Sequence, residues 1–356
     1  MDLPGRIMRL EPRLETPWVL WLAAPAAAIG TSLLIAALLV LWSGADPFGV
    51  FGLVIKGALG SQFAIFETLT RATPLIFTGL AAAVAFRARL WNIGGEAQFY
   101  GGAIMAALLG TGLLPLPAPV LIPVLLMAGA LAGAALLLGP TLMKTRFGVD
   151  EVVTTLLLNF IILLFVSFLL EGPLKDPMGM GWPQSRKVIE AAQLPKIIAG
   201  KRLHLGFALA LAMAALVWFI NTRTIHGYEM RAVGFNARAA RFAGMKVDWV
   251  MVKVALLSGG LAAMAGVSEV IGLKGNLTLD LSPGFGYAGI VVAMLAMLHP
   301  LGVVAAAIFV AAMFVGADAM SRQAGVPSYI AQVMVATALL TMVVGMLFTR
   351  FRLRWR

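Results

Sequence analysis

The chain has 356 residues, 61% of them hydrophobic and only 12% charged, with no cysteine. Soluble domains are about a quarter charged, so a water-soluble fold is excluded and an all-α polytopic membrane protein is indicated. The formal net charge of +11 falls on residues flanking apolar stretches, as positive-inside sorting requires, which argues against nucleic acid as a partner.

A transmembrane helix takes about 20 apolar residues. Such spans are predicted at 18–42, 72–90, 96–114, 119–139, 151–170, 203–221, 249–272, 286–298, 301–317 and 329–349. The first lies in a run from Pro17 to Ala45 without a charge. That is too long for a signal-peptide core, so it reads as a retained anchor. Residues 48–62 contain Lys56 and read as an interfacial helix. The eighth span is short enough for a half-helix or a deeply buried one. The expectation is a single transmembrane domain over 1–356, with about ten helices, some short or broken. Ten spans allow a five-plus-five inverted repeat, in which TGLAAAVAF (78–86) would correspond to SGGLAAMAG (258–266). With both termini cytoplasmic, 17 of the 27 Lys and Arg lie inside and six of the other ten fall in one external loop, 171–202. The chain is then expected to cross its membrane many times, with both termini on the cytoplasmic side.

Polar residues inside such a chain are the candidates for function. FRARLWNIGGEAQ (86–98) places Asn92, Gly94, Glu96 and Gln98 in a break between apolar segments. Irregular backbone at membrane depth needs protein or water to satisfy it, and a carboxylate there is costly. The alternative is a plain turn flanked by Arg87 and Arg89. Asp150 and Glu151 open the fifth span, where a helix dipole accounts for an acid. Asn159 lies two turns on, near the face of Glu151 and Thr155; it can donate and accept, which suits a nucleobase edge or a sugar hydroxyl and equally suits interhelical hydrogen bonding. Glu269 can line a path, snorkel, or pair with Lys274. SPGFGYAGIVVAML (282–295) offers Phe285 and Tyr287 beside glycines. Gly129 and Gly133 form a small-xxx-small packing patch.

Arg223–Asp248 is a basic, Gly-punctuated stretch between two spans, and 222–248 reads as a cytoplasmic loop. Glu229–Arg231 fit a helix start, Gly234 a break, and Asn236 a cap for a second short helix through Ala243. Two short surface helices suit a docking platform. No G-x-x-x-x-G-K-[ST] occurs, and no catalytic constellation stands out. His204, His226 and His299 lack ligand spacing. The chain therefore reads as neither enzyme nor metalloprotein, and no cofactor is expected.

Glu229–Gly244 reads E-M-R-A-V-G-x-N-x-x-A-A-x-x-A-G and resembles the coupling-loop signature of ABC-importer permease subunits. The subfamily it resembles handles nucleosides and related sugars, within the ribose and branched-chain amino-acid permease family. Asn92–Gln98 resembles that family's N-I-G-x-E-G-Q, with Ala97 for Gly. Residues 150–159 resemble its D-E-V-V-T-T-L-x-L-N. The run around Tyr287 resembles G-x-G-Y-D-G-I-A-V-A-L-L, with Ala288 for the Asp. The resemblance implies a substrate path along Asn92, Gly94, Glu96, Gln98, Glu151, Asn159, Phe285 and Tyr287. It implies ATPase coupling through Glu229, Arg231, Gly234, Asn236, Ala240 and Gly244. It further implies cytosolic ATP-binding subunits that hydrolyse the ATP, a second permease subunit (same or related) and an external substrate-binding protein. The expected cargo is a nucleoside; a simple sugar or other small polar solute is the alternative. A stand-alone secondary transporter would instead need paired acids, for which Glu96 and Glu269 are available.

Overall fold

The computed structural model describes residues 8–12, 18–325 and 351–355, with scattered positions between 327 and 345. Among the described residues twelve α-helices are delimited, in this order: α1 (Trp18–Trp42), α2 (Pro47–Leu59), α3 (Gln62–Arg87), α4 (Gly95–Gly110), α5 (Ala118–Phe147), α6 (Glu151–Glu171), α7 (Gly206–Arg223), α8 (Ile225–Phe235), α9 (Ala237–Phe242), α10 (Val247–Glu269), α11 (Phe285–Leu295) and α12 (Pro300–Ala324). A π-helical turn, Val270–Lys274, continues α10. Strands β1 (Met8–Pro12) and β2 (Phe351–Trp355) pair antiparallel, an addition to the all-helical expectation.

Among the described residues six helices are long and apolar enough to cross a membrane: α3, α5, α6, α7, α10 with its π turn, and α12. A seventh is counted if Leu33–Trp42 and Pro47–Leu59, bent by 115°, form one broken span. The count is lower than the expected ten for physical reasons. The expected spans 96–114 and 286–298 correspond to α4 and α11, of 16 and 11 residues. At 1.5 Å per residue, α4 reaches only about 24 Å. The expected span 329–349 falls largely outside the described residues. α3 starts ten residues before the apolar window because its threonines are satisfied within the helix. Thr70 and Thr73 donate to the carbonyls of Phe66 and Leu69, at 2.7 and 3.2 Å. Residues 48–62, read as interfacial, form α2, which starts on an Asp46 cap.

The chain divides into two compact units. The smaller comprises Met1–Ala64 and Ala312–Arg356. Within it Gly57 of α2 meets Ala319, and Gly316 meets the Val54 carbonyl. The larger unit, Ile65–Ala311, holds the candidate site. There α10 packs along α4 and α5, and α4 also touches α5, α6 and α11. These approaches are set by glycine. A Cβ on Gly102 would come closer than 3.0 Å to the Ala263 carbonyl, and one on Gly266 equally close to that of Phe99. Gly133 and Gly259 meet in the same way across α5 and α10. Gly129 and Gly133 thus make the packing patch their spacing suggested. α4 is apolar around most of its circumference and is enclosed by protein (Phe99, Tyr100, Ala103, Ala106 and Ala107 are all buried).

Candidate functional site

Two helices begin inside the larger unit rather than at its edge. α4 starts at Gly95 after the break 88–94, and α11 starts at Phe285 after Gly284, whose φ of 90° only glycine adopts readily. Their first turns touch, since a Cβ on Gly286 would lie 2.5 Å from the Gly95 carbonyl carbon. Each N-terminus presents unpaired N–H groups and the positive end of a helix dipole. Glu96, 4% exposed, accepts the Gly286 N–H at 2.7 Å. Ser282 accepts the N–H groups of Gly284 and Phe285, at 3.1 and 2.8 Å. One turn along α4, Tyr100 donates to the Leu279 carbonyl at 2.6 Å. Glu96 and Tyr100, four residues apart on one face, therefore hold the segment leading into α11.

The break is held from three sides. Asn92 and Gln98 exchange two amide hydrogen bonds of 2.9 Å each. Asn92 also donates to Ser258 on α10 at 3.2 Å, and Ser258 donates to the Ala81 carbonyl at 2.8 Å. Asn159 accepts the Ala97 N–H at 2.8 Å and donates to the Ile93 carbonyl and the Tyr287 hydroxyl, both at 2.9 Å. Thr155 accepts the Ile93 N–H at 3.2 Å. Glu151 accepts the Trp91 N–H at 3.2 Å and pairs with Lys144 of α5. Phe285 packs against Phe99, ring centroids 6.0 Å apart, with the Arg71 guanidinium over its ring.

A second cluster lies at the far end of α10. Thr224 caps α8, and Asn236 accepts the N–H groups of Arg238 and Ala239 to cap α9. Gly244, φ 84°, ends α9. One side of this pair is anchored. Arg231 donates to the Asn221 carbonyl at the end of α7, Glu229 lies 3.4 Å from Lys253 of α10, and Ala240 is buried. The other side exposes Tyr228, Phe235 and Phe242, the last at 97%. Beside the anchor, Ile220, His226, Met230 and Leu257 line a cavity of about 270 Å³.

Residues 64–348 match the family described as branched-chain amino acid transport system / permease component. The chain belongs to this family. The permease is 32% identical to the glucose ABC transporter permease protein TsgB13 of Haloferax volcanii, over 97% of this chain and 93% of that one. It is 35% identical to the guanosine ABC transporter permease protein NupP of Bacillus subtilis, over 90% and 92%. It is 29% identical to the nucleoside ABC transporter permease protein NupB of Lactococcus lactis, over 88% of each. The permease is thus a multi-pass membrane transport component.

The fold gathers the residues expected along a path, Asn92, Gly94, Glu96, Gln98, Glu151, Asn159, Phe285 and Tyr287, around the joint of α4 and α11. All but Tyr287 are buried. Two details of the loop differ from expectation. The first short helix begins at Ile225 on its Thr224 cap, not at Glu229–Arg231. Gly234 does not break it; the break is at Asn236, and Gly234 lies within the helix, where its missing side chain lets the Arg87 carbonyl pack against it. Asp150 caps α6 by accepting the Val152 N–H at 2.8 Å. Glu269 is buried within reach of the charges of Arg71, Lys274 and Arg202. The two acids a secondary transporter would pair thus have separate partners. His204 is buried against Gly206 and Gly272, and burial pushes its ring down to about 4, so it is neutral near pH 7. Sequence reading missed Tyr100, Ser282, Ser258 and Lys253. For Ser282 the signal was present, a serine two residues ahead of a glycine-led helix start.

Proposed function

We propose that this permease is the membrane subunit of a bacterial ABC importer that admits a nucleoside. Its partners are cytosolic ATP-binding subunits that hydrolyse the ATP, an external substrate-binding protein, and a second permease subunit of the same or a related kind. The observation that carries the reading is the α8–α9 pair. It is anchored to α7 and α10 on one side and exposes three aromatic rings on the other, beside Arg238 and Arg241. An exposed aromatic and basic patch off the membrane spans suits a protein partner. Glu229, Arg231, Gly234, Asn236, Ala240 and Gly244 build that platform. The nucleoside reading rests on relatives named for guanosine and nucleosides. The joint of α4 and α11 is the gate of the path. In the described conformation its polar groups bond to one another, and passage requires exchanging those bonds for bonds to solute or water.

The test is uptake of radiolabelled guanosine into proteoliposomes holding the assembled complex. Uptake should require ATP and the binding protein, and excess adenosine should compete where excess glucose does not. Competition by glucose alone would transfer the reading to a sugar, and uptake by the permease without ATP or partners would end the importer reading. Gly234→Val should lower ATP-driven uptake by roughly five- to hundredfold, because displacing α8 from Arg87 costs about 1–3 kcal/mol. Uptake at the wild-type rate would remove α8 from coupling. We also infer that both termini and residues 222–248 are cytoplasmic and that 171–202 is external, from the charge distribution. Reporter fusions after Leu174 should read external and those after Asp248 cytoplasmic; the reverse at either site refutes this orientation.

A further inference from the structure

Three elements of the larger unit meet at the last residue of α3. The Arg87 carbonyl lies against Gly234 of α8, with the Ala88 backbone beside it, and no side chain intervenes. The guanidinium of the same residue reaches α11, where Nη2 donates to the Leu298 carbonyl at 2.8 Å. Leu298 and Met297, just past the end of α11, hold left-handed conformations with φ of 61° and 49°. Non-glycine residues stay in that region only where their surroundings hold them. Here the Leu298 N–H bonds back to the Ala293 carbonyl at 2.9 Å, closing the half-helix, while its own carbonyl is taken by Arg87. The opposite end of α11 is the turn whose Gly286 N–H sits on Glu96.

We propose that Arg87 is a positioning residue that ties α8 to α11, so that displacement of α8 is delivered through α11 to the Gly286–Glu96 contact. The inference rests on the reading of α8 as the ATPase-docking helix. A charge-assisted bond to a carbonyl is strong and directional. α11 is only 11 residues long and is packed against Thr78 and Gly79 of α3, so it moves as one body. α8 also meets α10 where Lys253 lies 3.2 Å from His226 and 3.4 Å from Glu229, but these groups are partly solvated and their attraction is screened.

The experiment compares Arg87→Gln and Arg87→Lys permeases, each assembled with its ATP-binding subunits and binding protein in proteoliposomes. ATP hydrolysis and guanosine uptake are read from the same vesicles. Arg87→Gln should assemble and hydrolyse ATP near the wild-type rate while uptake per ATP falls roughly tenfold, the scale of one lost charge-assisted bond. Arg87→Lys, which keeps the charge on a side chain of nearly the same reach, should recover most of the loss that the shorter, neutral amide of Gln causes. Wild-type uptake per ATP in Arg87→Gln overturns the proposal. So does failure of that variant to assemble, or an equal fall in hydrolysis and uptake, because either assigns Arg87 to packing. Phe235→Asp, on the exposed side of α8, separates the two readings. If it leaves binding of the ATP-binding subunits intact, the docking reading fails whatever Arg87 does.

Discussion

Gly102→Ala and Gly266→Ala should each destabilise the permease strongly. α4 and α10 cross with backbone on backbone, so the added methyl would lie closer than 3.0 Å to the Ala263 or Phe99 carbonyl. A carbonyl inside a packed helix cannot rotate away, and relief requires moving one helix. Overpacking of this kind costs about 1–3 kcal/mol or more. Both helices carry groups of the joint, so the movement would also disturb the Asn92–Ser258 bond. Gly139→Ala, inside α5 with open space around it, is the control and should gain about 0.5–1 kcal/mol. Thermal unfolding of detergent-solubilised protein, followed by size-exclusion chromatography, reads all three. If Gly102→Ala and Gly266→Ala melt with the wild type, the α4–α10 crossing is looser than described.

The second large effect is expected at Glu96. Its carboxyl accepts the Gly286 N–H in a site from which water is excluded. Glu96→Ala leaves that N–H unpaired, at a cost of about 1–3 kcal/mol. The first turn of α11 then loses its partner on α4, and ATP-driven guanosine uptake should fall by roughly five- to hundredfold. Glu96→Gln keeps an oxygen to accept the bond and should stay within about threefold of wild type. The comparison also bears on mechanism. A proton-coupled transporter using Glu96 would lose all activity with Gln, because an amide cannot carry the proton. Equal loss in Gln and Ala would therefore favour the secondary-transporter reading, and wild-type uptake in Ala would take Glu96 off the path.

The apolar character of the long spans, the acid at the start of α6, the Asn236 cap and the Gly129–Gly133 patch are local properties, written within a few residues of where they act. Sequence alone determined these, together with the membrane class and the family signature at Glu229–Gly244. The fate of the polar residues is not local. Asn92 meets Ser258 across 166 positions, Asn159 meets Tyr287 across 128, and Glu96 meets Gly286 across 190. No spacing rule predicts such pairs; the packing of α3, α4, α6, α10 and α11 creates them. Gly234 shows the same limit. Sequence reads a glycine in a polar loop as a break, because it weighs only the intrinsic cost of glycine in a helix. In the tertiary structure the glycine serves a close approach instead: it lies inside α8, and the Arg87 carbonyl occupies the space a side chain would need. Among the described residues the candidate spans are fewer than the apolar stretches because of helix length: α4 and α11, at 16 and 11 residues, end short of a full span, and the surrounding helices cover α4.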